Sequence, residues 1–577
     1  MSDSKIGSQP NTTQHEDIEP TEKHVSLEDT SGHMLHKQLE TRHMTMIALG
    51  GALGTGLLIG TGSALAKSGP AGVLIDYILV GWVVFVIMTA LGEMVSYLPL
   101  AQGFGGYATR FVDPALGFAT GYTYCFKYMI GTANQLSAFA LVMKYWVGDS
   151  VNPAVFITVA LVGIILINSV NVRAFGEVEF WLSLLKVLTM VGIILLLFIL
   201  AVGGGPSGDR PGFRYWRDPG PFAEFKVEGD TGRFLGVWSA LVTAVYAFTG
   251  TELVAVTAGE SKNPRLSMPK AARLSFYRVF FFYVRSVLFL GMVVPYNSEA
   301  LAFATHASKS AAASPFVVAI KLAGIKGLDH VINGCIVLFV LSAANSDFYI
   351  ASRGLYGIAA DGKGPTIFAR TTRNGVPWVS VVLCILMCGL AYMSVAASGA
   401  KVFGYLTSCV TVFGKLSTSS EPSPFQALTS SGLLVWMSIL LCHIAFRRAQ
   451  SIQGVDPAYI AYRAPFGIVG SYIALGFLTV LIITKGAEVF VGDEFDYKTF
   501  ILGYIGIPVY LALYLGYKFI TKTSYVRAAG ADLITGVPAI TVAEEKARYE
   551  ARQKEREEAN PRAYWVRKLY GLVSWLF

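Results

Sequence analysis

Charge is scarce in this chain. Asp, Glu, Lys and Arg make up 15% of the 577 residues, against 53% hydrophobic; a soluble globular chain carries about 25% charged residues. The deficit excludes an ordinary soluble enzyme, a disordered protein and a nucleic-acid binder. The net charge of +8 does not reverse this, because the basic residues sit in short loops and tails. Cysteine is scarce as well: six residues, mostly inside apolar runs and without a Cys-x-x-Cys pair. Neither a disulfide framework nor a zinc site is indicated. Of eight histidines, five (His15, His24, His33, His36 and His43) precede residue 44. His306, His330 and His443 lie in or near loops and form no motif. A membrane-embedded enzyme such as an acyltransferase needs a catalytic His or nucleophile constellation, so the chain is not expected to be an enzyme.

Long apolar runs are what the chain has in abundance. Twelve candidate spans fall at roughly 44–66, 71–98, 115–146, 153–171, 177–202, 235–257, 272–294, 329–358, 378–398, 402–446, 468–488 and 499–521, and about 20 residues suffice to cross a bilayer as a helix. The expected fold is therefore an all-α membrane protein. Residues 1–43 are polar and without apolar periodicity, and are expected to be a disordered tail with no signal peptide. Residues 44–521 form the transmembrane domain. The tail 522–577 carries a charged stretch, Glu544 to Arg556, and ends in the interleaved aromatic and basic residues Tyr564 to Tyr570. These suit an amphipathic helix on an anionic membrane surface or on the protein's own cytosolic face.

The loops give an orientation. Lys262, Arg265, Lys270, Arg273 and Arg278 oppose Glu260 between the sixth and seventh spans, and Arg353, Lys363, Arg370 and Arg373 oppose Asp361 between the eighth and ninth. Basic residues favour the cytosolic side, so both termini are expected in the cytosol.

Glycine marks two breaks. The first span contains Gly50-Gly51-Ala52-Leu53-Gly54-Thr55-Gly56, and the sixth contains Tyr246-Ala247-Phe248-Thr249-Gly250-Thr251-Glu252. Unwound backbone at membrane depth is tolerated only around a buried polar cavity. Two interrupted helices five apart match a transporter built from two inverted repeats. Half-helix N-termini then face an anion and freed carbonyls a cation, which together suit a zwitterion. The competing reading is close helix packing through small residues. Glu252 is an intramembrane acid, a functional candidate by default.

The segments RHMTMIALGGALGTGLLIGTG, SGPAGVLIDYILVGW with ALGEMVSYLP, FTGTELVAVTAGESKNPRLSMPKA and LSAANSDFYIASRGLYGIAADGKGP resemble the yeast amino acid transporter family, in the amino acid–polyamine–organocation superfamily. Within that family, GYTYCFKYMIGTANQLSAFALVMKYW, GGGPSGDRPGFRYWRDPG, SPFVVAIK and FDYKTFILGYIGIPVY resemble the fungal dicarboxylic amino acid permeases. The resemblance implies a multi-pass plasma-membrane proton symporter with a five-plus-five inverted-repeat fold, broken helices 1 and 6, and two extra helices. It implies no cofactor beyond the proton as coupling ion. The implied partners are an amino acid, preferably acidic, the lipid bilayer, and ubiquitin ligase machinery acting on tail lysines such as Lys5, Lys23 and Lys37; nucleic acid is not among them.

The same resemblance assigns roles. Gly54, Thr55 and Gly56 match the stretch whose N–H groups hold the substrate carboxylate. Carbonyls near Gly51 and Ala52, and those of Phe248 and Thr249 beside Gly250, would take the ammonium, and Tyr246 matches an aromatic gate. In sodium-independent relatives a lysine in helix 5 occupies the place of a sodium ion. Here Lys186 stands there, nine residues after Glu177, and with Glu252 is the candidate for proton coupling. Glu93, Asn345 and Asp347 are candidates to complete the polar network, with Glu93, Asp347 and Arg353 near cytosolic helix ends.

A second carboxylate on the substrate needs a cation and no opposing acid. Lys127 supplies the cation, with Asn134 and Gln135 seven and eight residues on, along one helix face. Broad-range relatives typically carry glutamate where Gln135 stands. A broad-specificity neutral permease and a transporter-like nutrient sensor remain the alternatives. Two features depart from the family pattern. Arg285 lies inside the seventh span without an evident partner. In the tenth, Val412 to Thr429 places Lys415, Glu421, Pro422 and Pro424 inside an apolar run, either as an extruded loop or as a translated retained intron.

Overall fold

The computed structural model describes residues 39–50, 53–54, 56–100, 103–148, 150–170, 172–257, 260–261, 263–299, 301, 314–392, 425–456, 459–491, 495 and 497–537, with single positions between 543 and 554. Among these the chain is helical, with one isolated bridge from Leu39 to Ser261 and no strand. Most of the C-terminal amphipathic segment, and the tenth span from 402 to 424, lie outside the described residues.

The first predicted span comes in two pieces. Helix α1 (Thr41–Gly50) ends at the glycine cluster, and a π-helical turn at Gly56–Gly60 leads into α2 (Thr61–Tyr97). Gly56–Tyr97 counts 42 residues, about 63 Å at ~1.5 Å per residue, against a hydrocarbon core of about 30 Å. It is therefore too long for one crossing: the residues before Gly69 complete the first span, and those after it form the second. The corner is Gly69, whose φ of 75° leaves the helical region immediately before Pro70. A Cβ on Gly69 would stand 2.7 Å from the Ala223 nitrogen and 2.8 Å from the Pro221 oxygen. Only glycine accommodates both the torsion and the approach.

Helix α3 (Gly103–Phe111) leads to α4 (Pro114–Val147), where the Asp113 carboxylate accepts from Ala115 N at 2.8 Å and Pro114 occupies the first turn. Next come α5 (Pro153–Val170) and α6 (Val172–Ala201). The sixth span is again divided, into α7 (Gly229–Phe248) and α8 (Leu253–Thr257). The seventh begins at Pro264, not near 272 as expected. Helix α9 (Pro264–Arg278) starts after Asn263 and continues through a π-helical stretch, Val279–Val284, into α10 (Arg285–Val293). Pro269 and the basic residues disguised its first two turns as loop. Then follow α11 (Pro315–Leu322), α12 (Leu328–Ala360), α13 (Trp378–Cys388), α14 (Phe425–Gln453), α15 (Gly467–Thr484), α16 (Tyr497–Tyr504) and α17 (Gly506–Thr521). Helix α14 already includes residues 425–429, the last five of the anomalous insert.

Eight of the described helical segments are long and apolar enough to cross a membrane. Their burial sorts them into two rings. The most apolar window of Gly229–Thr257 is 83% buried, whereas those of Pro153–Val170 and Gly467–Phe490 are 28% and 33% buried. The outer helices present Val155, Val159, Val162 and Leu166, or Val469, Ile473, Val480 and Ile483, to the surroundings. That is the pattern of a lipid-facing belt. Helix α4 is 34 residues long and central, yet it carries Lys127, Asn134 and Gln135 inward.

The Gly69 corner yields a prediction. Gly69→Ala should lower the thermal midpoint of the purified protein in detergent, the torsion alone costing about 1–3 kcal/mol. Gly163→Ala, where a Cβ meets nothing within 4 Å, should leave the midpoint unchanged or raise it by no more than the ~1 kcal/mol helix-propensity difference.

A polar cavity between two broken helices

The two breaks adjoin. A Cβ on Gly56 would lie 2.6 Å from the Ala247 Cα and 3.0 Å from Tyr246 Cδ1, and one on Gly60 would lie 3.2 Å from Thr243 Cγ2. Glycine at these positions lets π-turn and α7 backbones touch. Between them is a cavity of about 60 Å³, lined by Gly54, Gly56, Tyr246, Thr249 and Gly250 from the breaks, by Lys127, Asn134 and Gln135 from α4, and by Asp347 from α12.

Each interrupted helix end is satisfied by an interior side chain. Lys186 Nζ donates to the Gly50 carbonyl at 3.3 Å, and Arg278 Nη1 donates to the Ala48 carbonyl. Two buried cations thus cap the C-terminus of α1, where the helix dipole is negative. A Cβ on Gly50 would fall 2.5 Å from Ser183 Cβ, which is how α1 comes close enough to α6 to receive Lys186. In the sixth span, Tyr283 donates to the Ala247 carbonyl at 3.2 Å, and both Thr251 N and Thr251 Oγ1 donate to that of Phe248. Gly250, at φ 94°, turns the chain between the halves.

Two buried ion pairs flank the cavity. Lys127 Nζ lies 3.2 Å from Glu252 Oε1, with both side chains at most 2% exposed. Glu252 also accepts from Tyr128 OH at 2.8 Å and Trp436 Nε1 at 3.3 Å. Lys186 Nζ lies 3.7 Å from Glu179 Oε1. Glu179 in turn accepts from Ser342 at 2.7 Å, Ser183 at 3.4 Å and Asn345 at 3.5 Å, and Asn345 accepts from Asn168 at 2.8 Å. Each carboxylate is thus matched by a cation and further donors, which is what keeps a buried pair from being a net cost.

The expected site residues divide accordingly. Gly54, Gly56, Lys127, Gln135, Tyr246, Thr249 and Gly250 share the cavity wall. Gly51, Ala52 and Thr55 lie outside the described residues. Phe248 is not on that wall: its carbonyl accepts from Thr251, and its ring stacks on Tyr283 at 4.1 Å. Lys186 and Glu252 stand behind the wall. The carboxylate facing Lys186 is Glu179; Glu177 pairs instead with Arg42, and lies 3.2 Å from His43. Sequence spacing held the signal, since Glu179 and Lys186 are seven apart and two turns bring them to one face. Asp347 is not at a helix end but on the cavity wall, whereas Arg353 pairs with Glu260 at 3.3 Å. Glu93 holds the 464 turn onto α2, accepting from Ala464 N at 2.8 Å and lying 3.1 Å from Arg447 and 3.3 Å from His443. Arg285 rests over Phe281 at 4.4 Å and Phe280 at 5.2 Å, partners that the wider π-helical turn brings to one side. Asn134 Oδ1 is buried on the cavity side with no hydrogen-bond partner among the described residues.

The chain belongs to the amino acid permease family, whose model matches residues 43–528. It is therefore a multi-pass membrane protein of a transport family. It is 49% identical over 524 residues, 90% of this chain and 83% of the relative, to a dicarboxylic amino acid permease of Saccharomyces cerevisiae. It is 37% identical to a proline-specific permease of Emericella nidulans, covering 86% of this chain and 88% of that one. It is also 37% identical to the general amino-acid permease GAP1 of Saccharomyces cerevisiae, covering 87% and 80%.

The Lys127–Glu252 pair is testable by a double-mutant cycle on thermal stability. Glu252→Gln removes the charge opposite a buried ammonium and should cost about 3–5 kcal/mol. Lys127→Met with Glu252→Gln should recover more than half of that loss. Additive effects of the two single changes would mean that the pair is not coupled.

Proposed function

We propose that this permease is a proton-coupled importer of amino acids at the plasma membrane, with L-glutamate and L-aspartate as its preferred substrates. In this reading the polypeptide crosses the membrane twelve times, ten helices forming two inverted five-helix repeats, with the tails 1–43 and 522–577 in the cytosol and open to ubiquitin ligase machinery. The α-carboxylate would meet backbone N–H groups of the first break at Gly54 and Gly56. The ammonium would meet the carbonyl of Thr249 and the free Asn134 oxygen. The observation that carries the acidic preference is Lys127, the one cation among the described residues lining the cavity, with the amide of Gln135 two turns along α4. An amide there donates hydrogen bonds without adding a negative charge. The similarity to a dicarboxylic amino acid permease supports the same reading.

Coupling would run through Lys186, which joins the end of α1 to Glu179 and, through Glu179, to Ser342 of α12. A proton lost or gained there changes the grip on the first break, so site occupancy and helix packing are linked.

A second reading, a permease for neutral amino acids, is favoured by one observation: Lys127 is already matched by Glu252, and Asp347 adds an acid to the wall. Substrate competition separates the two. Uptake of labelled glutamate into cells lacking their own permeases should be inhibited by aspartate far more than by leucine or arginine. Lys127→Ala should weaken glutamate uptake roughly ten- to hundred-fold, the equivalent of about 1.5–3 kcal/mol for a charged hydrogen bond, with a much smaller effect on glutamine. Gln135→Glu should shift preference toward neutral substrates. Equal losses for charged and neutral amino acids in Lys127→Ala would mean that the lysine supports the fold and not the substrate choice.

Coupling has its own test. Lys186→Ala should abolish accumulation against a gradient while exchange of internal for external substrate survives, and replacing sodium should leave wild-type uptake unchanged. Undiminished accumulation by the alanine variant would remove Lys186 from the mechanism.

A further inference from the structure

The cavity holds a carboxylate that belongs to neither ion pair. Asp347 lies within α12, and Gly131 of α4 makes room for it: a Cβ on Gly131 would stand 3.1 Å from Asp347 Oδ2. Glycine here, one turn beyond Lys127, lets the carboxylate reach the cavity against the α4 backbone. Asp347 lines that cavity and is the one acid among the described residues that do. Among the described residues, no hydrogen bond and no ion pair within 4 Å reaches its oxygens.

Two lysines and two acids lie around it. Lys127 and Glu252 face it from α4 and the sixth-span break, and Lys186 and Glu179 from α6. The phenols of Tyr124 and Tyr128 face it from α4. Arg278 of α9 stands farther back, near Glu252. Each lysine already has a carboxylate of its own, Lys127 with Glu252 and Lys186 with Glu179. Asp347 is thus the third acid beside two matched pairs, placed where a substrate carboxylate would enter. An ionised Asp347 opposes that carboxylate at short range with little water between. A protonated Asp347 does not, and its O–H becomes a donor to it.

We propose that Asp347 binds the co-transported proton on the substrate side, and that its protonation is the condition for admitting an acidic amino acid. The proposal rests on the acidic-substrate reading and adds the group that makes an acid in the cavity compatible with it. Proton and substrate then favour each other's binding by the same factor, as linkage requires. Lys186 acts separately, at the end of α1.

The test is the pH dependence of KM for glutamate and for glutamine between pH 5.5 and 7.5, in cells lacking their own permeases, with surface expression measured in parallel. Free glutamate keeps its side-chain carboxylate ionised throughout this range, so a change reports the protein. In the wild type, KM for glutamate should rise with pH, approaching about tenfold per unit, the limit for one linked proton, while KM for glutamine stays level. Asp347→Asn, a neutral mimic of the protonated acid, should give a glutamate KM that is low and flat. It should also lose accumulation against a gradient and keep exchange. Asp347→Glu should retain the slope, and Lys186→Ala should retain the slope while losing accumulation. An Asn variant that keeps the wild-type slope and accumulates substrate overturns the proposal. If Asp347→Asn does not reach the membrane, Asp347→Ser carries the same test. A wild type that transports glutamine but not glutamate sinks the acidic-substrate reading instead. The coupling arm is then read with glutamine, and uphill accumulation by the Asn variant overturns the role of Asp347.

Discussion

Backbone that leaves the helix at membrane depth must find partners inside the protein, and the rest of this structure follows from that. The first span stops at Gly50 and the sixth at Phe248. Water cannot serve the freed groups in hydrocarbon. Lys186, Arg278, Tyr283 and Thr251 serve them instead. Recruiting cations to cap the α1 end brings charges into the interior; Lys186 meets an acid there, whereas Arg278 has none within 4 Å among the described residues. That acid is Glu179, held by the serine and asparagine side chains around it, and Glu252 with Tyr128 and Trp436 stabilises Lys127. The polar interior is the counterpart of two broken helices.

The same constraint decides where small residues occur. Gly50 admits Ser183 and α6, Gly56 admits the α7 backbone, and Gly131 admits Asp347. Each removes a side chain where another helix or a functional group must come close. The outer helices face no such demand, and they read as nearly uniform apolar surface along α5 and α15.

Sequence alone made much of this legible. Apolar length located the spans that the described residues show, the start of the seventh excepted, the glycine clusters located both breaks, and the shared face of Lys127, Asn134 and Gln135 could be read from seven- and eight-residue spacing along α4. Other parts were hidden for identifiable reasons. Pro269 and a run of basic residues concealed the start of α9, and with it the buried capping role of Arg278. Trp436 reaches Glu252 from 184 residues away, a contact no local pattern announces. The depth of Asp347 depends on how far α12 slides past α4, which packing sets and composition does not. Phe281, the nearer ring under Arg285, is four residues away and legible as an ordinary helical pair, whereas Phe280, five away, reaches that side because Val279–Val284 is π-helical. Glu179 is different: its two-turn spacing from Lys186 was present in the sequence, and the nearer Glu177 obscured it.

The central claim is that the adjoining breaks hold the amino acid's charged ends while Lys127 meets its side chain. A structure determined with glutamate bound tests this most directly. The account predicts the α-carboxylate at the Gly54–Gly56 backbone and the side-chain carboxylate within about 4 Å of Lys127 Nζ, the reach of an ion pair. A ligand seated elsewhere, or one whose side chain points away from an undisturbed Lys127–Glu252 pair, would contradict it.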